Sequence, residues 1–106
     1  MPLSNNSKAV LYRAIFPNGK LYIGITRDLK DRIYRHRHAA EHGSKVLVCL
    51  AIRKYGIDNI QWEMLVVGTR IYVKSLEIAA IAKFKTADRR FGYNITLGGD
   101  SNPMEI

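Results

Sequence analysis

The sequence contains one cysteine, three prolines and only nine acidic residues among 106. A single thiol, Cys49, excludes an intrachain disulfide framework and a multi-cysteine zinc site. No apolar run approaches the roughly 20 residues needed to span a bilayer, so a membrane partner is not expected. Residues 1–8 lack the apolar core of a signal peptide, which sets the expected compartment as the cytoplasm. A chain this short has room for one hydrophobic core and no second one. Its content of 47% hydrophobic and 25% charged residues is that of a folded globular domain, against global disorder.

The shortage of acids leaves a net charge of +8 and a pI near 9.9, which points to a polyanionic partner. The excess is uneven. Between positions 27 and 54 lie Arg27, Lys30, Arg32, Arg35, Arg37, Lys45, Arg53 and Lys54, against Asp28, Asp31 and Glu41. His36, His38 and His42 fall in the same stretch. A solvated basic helix face is the plain alternative. Nucleic acid fits better than an anionic membrane, because no helix pairs basic residues with large exposed apolar ones.

Apolar, β-branched and aromatic runs at 10–16 and 20–25 flank Pro17-Asn18-Gly19, the turn chemistry of a β-hairpin. A first helix is expected from Thr26 or Asp28 to just before Gly43. A second should run from Ser44 as N-cap to Tyr55, with Gly56 as a left-handed cap. Residues 60–67 read as a third strand bounded by Gly68, and Thr69 can cap a third helix reaching about Lys85. The fold class is α+β: a small, mostly antiparallel three-stranded sheet flanked by helices, in the order β-β-α-α-β-α.

Two placements carry chemistry. Val73, Glu77, Ala80, Ile81 and Phe84 share one face of the third helix, which sets Glu77 in an apolar stripe. A carboxylate is costly to desolvate there unless it pairs with a cation, either a neighbouring Arg or a metal. On the first helix Leu29, Ile33 and Ala40 form the apolar stripe, with His36 on the same side and Arg32 one turn away at its border. A guanidinium and an imidazole at the edge of the core fit a pocket for a phosphate undergoing transfer. Cys49, between Val48 and Leu50, reads as buried filler.

Val10-Leu11-Tyr12, Tyr22-Ile23-Gly24, Arg32, His36, Glu77 and Gly92-Tyr93-Asn94-Ile95 together resemble the motifs of the GIY-YIG nuclease superfamily, in order and in spacing. The nearest flavour is the catalytic domains of phage and intron-encoded homing endonucleases, which share segments like Arg53-Lys54-Tyr55-Gly56. The first motif departs from the family pattern, with Val-Leu-Tyr in place of Gly-Ile-Tyr. The resemblance implies a metal-dependent DNA endonuclease in a bacterial or phage-infected cell, with one divalent cation, Mg²⁺ or Mn²⁺, held by Glu77. It implies a catalytic set of Tyr12, Tyr22, Arg32, His36, Glu77 and Asn94, with Tyr12 preferred over Tyr22 as general base. Arg32 would stabilise the pentacovalent phosphate, His36 would hold the phosphate or assist proton transfer, and Asn94 would tie the final segment to the catalytic face. Lys20, Gly24, Arg27 and Arg35 are expected along the DNA.

The expected partner is DNA, with no small-molecule cofactor, and the chain acts as a monomer or a transient dimer on DNA. The division is a loose tail at 1–8, a nuclease domain at 9–97, and a tail or start of a linker at 98–106. Alternatives from other classes are a non-catalytic basic nucleic-acid-binding module on the same fold, or a small structural RNA-binding protein. Neither has a use for Glu77 in an apolar stripe.

Overall fold

A computed structural model describes residues 7–95; the expected tail at 98–106 and most of that at 1–8 lie outside them. Strand β1 (Lys8–Ile15) and strand β2 (Leu21–Thr26) form the hairpin. Its turn closes as Gly19 N–H donates to Phe16 O at 2.8 Å and Lys20 N–H to the Asn18 side chain at 3.0 Å. Gly19 takes φ +85°, which a side chain would resist. Strand β1 begins at Lys8, inside the segment expected as tail, because Lys8 pairs with Thr69 of the third strand.

Helix α1 (Leu29–Glu41) starts where expected, with the Asp28 side chain accepting from Asp31 N–H. Helix α2 (Leu47–Tyr55) starts later than expected. Ser44 does not cap it; its hydroxyl accepts from Val46 N–H at 3.3 Å, and this local bond holds the loop. Gly56 has the positive φ anticipated, but its ψ of 134° is extended, and the chain turns away through a 3-10 segment, Ile57–Asn59. Strand β3 (Gln61–Thr69) runs through Gly68 instead of stopping there, since Gly68 still has Ala9 of β1 opposite it. Thr69 caps α3 (Arg70–Phe84), accepting from Tyr72 N–H, and Lys85 ends the helix in a left-handed conformation that glycine usually fills.

The sheet order is β2-β1-β3, antiparallel throughout, with helices on both faces. Alternation along β1 assigns the layers. Tyr12, Ala14 and Phe16 pack with Ala40 of α1 and with Val48, Cys49, Ala51 and Ile52 of α2. Ala9 and Leu11 pack with Ile23 and with Val73 and Ile81 of α3. The pairing of β1 with β3 slips between Leu11 and Tyr12, where β3 carries an extra residue. That bulge sits beside Tyr12. Among the described residues no helix is long and apolar enough to cross a membrane.

Candidate active site

Tyr12 lies at the middle of β1 with no exposed surface, and its hydroxyl meets His36 Nε2 at 3.1 Å. Directly opposite on β2 is Gly24. A methyl group there would stand 2.5 Å from the Tyr12 hydroxyl oxygen, so the absence of a side chain at Gly24 makes room for that hydroxyl. The room that Gly24 leaves is taken by the Tyr12 ring and hydroxyl.

Three rings pack around His36. Tyr22 stands edge-on to it with ring centroids 5.5 Å apart. Tyr12 lies edge-on at 6.5 Å, and Trp62 of β3 stacks nearly parallel at 5.7 Å and 24°. Trp62 was not anticipated as part of this site; its place in an alternating strand was visible, but its contact with a helix 26 positions earlier needs the topology. Burial, and secondarily the positive charge of Arg32, push the His36 pKa down to about 3. The imidazole is therefore neutral near pH 7, with one ring N–H to donate and one ring nitrogen to accept.

A cleft of about 210 Å³ opens above this cluster, between α1, the start of α2 and the segment after α3. Tyr22, Arg32, Arg35 and His36 line it, with Cys49 and Tyr93. A second recess at the α1 N-terminus gathers Arg27, Arg32 and Arg35 with Asp28 and Asp31. Arg35 is partly committed, since its Nε donates to Asp31 at 2.8 Å. Arg53 is engaged inside the fold, donating to Ala40 O at 2.8 Å, while Arg37 faces Glu41 at 3.6 Å on the exposed side of α1. Lys20 rests its ammonium 5.7 Å from the Tyr93 ring.

Asn94 is the final member of this arrangement and has a defined task. Its side-chain oxygen accepts from Ile23 N–H at 2.9 Å, and its amide nitrogen donates to Ile23 O at 2.8 Å. Leu21 is held likewise, donating to Phe91 O and accepting from Tyr93 N–H, both at 3.0 Å. The segment 91–94 thus covers the outer edge of β2, and Asn94 uses both ends of its amide on backbone. Through this pair of bonds it positions β2. Gly92 is required for this contact, because a methyl group on it would lie 2.5 Å from Thr86. Arg89, also unanticipated, clamps the segment by donating to Ala87 O at 2.8 Å, to Gly92 O at 3.1 Å and to Asn94 O.

Glu77 arrives from the other layer. It is buried at 8% exposure between Val73 and Ile81 on the face of α3 that meets the sheet. Among the described residues no three His, Cys, Asp or Glu side chains gather to hold a metal. Glu77 could serve as one carboxylate ligand of a divalent cation that keeps several waters.

The family model described as "GIY-YIG catalytic domain" matches residues 8–94. Among solved structures, the catalytic domain of intron endonuclease I-TevI, in a glutamate-to-alanine mutant form, is similar with a TM-score of 0.74. The match covers 87% of this chain and 97% of that one at 22% identity, which shows a shared fold. No curated protein gives a significant sequence match.

Proposed function

The chain belongs to the GIY-YIG catalytic-domain family of nucleases, and from that premise we propose that it is a divalent-metal-dependent DNA endonuclease with a tyrosine as general base. The observation that carries the proton chemistry is the 3.1 Å contact between the Tyr12 hydroxyl and His36 Nε2. In the phenolate form the Tyr12 oxygen takes a proton from the attacking water, and neutral His36, with Nε2 protonated, donates a hydrogen bond that steadies that oxygen. The water oxygen bonds to phosphorus, the bond to the leaving sugar oxygen breaks, and that oxygen is protonated from solvent. Tyr22, on the cleft wall, orients the water.

Arg32 has two effects. It neutralises charge that grows on the phosphate in the transition state. It also depresses the basicity of His36, and a phosphate seated against Arg32 cancels part of that depression. Glu77 would hold the divalent cation, which when bound supplies further neutralisation of the phosphate and its leaving oxygen.

The test is incubation of supercoiled plasmid with the chain in Mg²⁺ or in excess chelator, beside Glu77→Gln. Nicked or linear product is expected only from the wild type with metal. Plasmid left intact by wild type in Mg²⁺ and Mn²⁺, with DNA still bound, would replace this reading by that of a non-catalytic binding module. Turnover by Glu77→Gln at the wild-type rate would remove the assignment of Glu77.

A further inference from the structure

Beyond the active cleft lies a second cationic surface that the crowded basic stretch at 27–54 does not include. It is built where the α3 C-terminus meets the hairpin turn. Phe91 is 42% exposed, unusual for so large an apolar ring. Two cations rest against it: Lys85 Nζ is 5.8 Å from the ring centroid and the Arg90 guanidinium carbon 5.3 Å. Asp88 holds Arg90 in place through its Nε and one terminal nitrogen, the latter at 2.8 Å, which leaves the other terminal nitrogen toward solvent or a ligand. Lys20 repeats the arrangement on the neighbouring Tyr93 ring.

The geometry relates this surface to the cleft. Phe91 O and Tyr93 N–H both bond Leu21, which sets the two residues on either side of Gly92 along the outer edge of β2. Tyr93 lines the cleft, and Phe91, two residues before it, lies on the same edge. Resting on the nuclease reading above, we propose that the duplex leaving the cleft runs over Tyr93 and Phe91, with Lys20, Lys85 and Arg90 on its phosphates. The rings serve as platforms that hold the cations in register, which reduces the side-chain entropy lost on binding. The partner is duplex DNA backbone, because charges spaced on a rigid edge suit regularly spaced phosphates. The contact is independent of sequence, as phosphate contacts are.

The experiment compares Lys85→Gln/Arg90→Gln with Lys8→Gln/Lys74→Gln. The second pair removes equal charge from the opposite end of the sheet, where β1 begins and α3 starts. Affinity of the full chain for a 30-base-pair duplex is titrated in metal-free buffer at several salt concentrations, so no result depends on cleavage. The Lys85/Arg90 pair should bind about tenfold more weakly, with the salt slope reduced by about two units. The Lys8/Lys74 pair should retain a slope near that of wild type. Equal losses from both pairs would mean that only net charge matters and would overturn the proposal, as would no loss from the first pair or no binding by wild type. Loss confined to the first pair, in a chain that cleaves nothing, would leave this surface standing while the nuclease reading fell.

Discussion

The two faces of the sheet use buried polarity differently. On the α1 and α2 face the interior contains Tyr12, Tyr22 and His36, with Trp62 against them, in a network of rings and a buried hydrogen bond. On the α3 face the cluster is Ala9, Leu11, Ile23, Val73 and Ile81, and Glu77 is the charged group buried beside it. The first face holds an imidazole that burial keeps neutral; the second is apolar packing interrupted by one carboxylate. Deleting a single oxygen should therefore disable the first face with little effect on folding. Deleting methyl groups from the second should cost stability and leave the chemistry of the folded molecule alone.

The largest effect on that contrast comes from Tyr12→Phe and His36→Gln. Each should lower the single-turnover rate by about 100- to 10,000-fold, the range for removed acid–base groups, with duplex affinity little changed. Ile81→Ala, on the other face, should cost roughly 2–5 kcal/mol in denaturant unfolding. If Ile81→Ala instead removed activity from fully folded protein, or Tyr12→Phe unfolded it, the division between the faces would fail.

Asn94→Ala should cost about 1–3 kcal/mol, because the Ile23 N–H and carbonyl would lose their partners at a buried edge. Thermal unfolding measures this. Asn94→Asp should recover less than half, since a carboxylate accepts from the N–H but cannot donate to the carbonyl. Full stability in the alanine variant would show that segment 91–94 does not hold β2.

Near neutral pH, the pH dependence is the effect that shows least. His36 has a folded pKa of about 3, below its ordinary 6.5, so the unfolded chain binds the extra proton between those values. Its contribution is constant above pH 6.5, and stability falls as pH drops from there toward 3, by up to about 1.4 kcal/mol per pH unit. The ring resonances of His36 should show no titration between pH 8 and 5 in free protein. A midpoint near 6.5 would show that the imidazole is not enclosed.

Local chemistry made the hairpin, the Asp28 and Thr69 caps and the β-β-α-α-β-α order legible in the sequence. Spacing alone also set His36 and Glu77 on inward helix faces, and both are buried. Long-range pairing was what escaped. Gly68 looks like a strand end until Ala9 is found opposite it, and the task of Asn94 depends on Ile23, 71 positions earlier. Ser44 fails as a cap because it finds a nearer donor, Val46 N–H. Lys85 in a left-handed conformation leaves no mark in composition, and the cations around Phe91 follow from that turn. The charge count at 27–54 also hides that Arg53 is turned into the fold, onto Ala40 O.

The proposed function requires the Tyr12–His36 pair and Glu77 to serve one phosphate. A double-mutant cycle of Tyr12→Phe and Glu77→Gln in single-turnover cleavage tests it most directly. Groups that serve one transition state are strongly non-additive, so the double variant should be little slower than the slower single variant. Rate losses that simply multiply would show that the two faces act independently, contrary to this account.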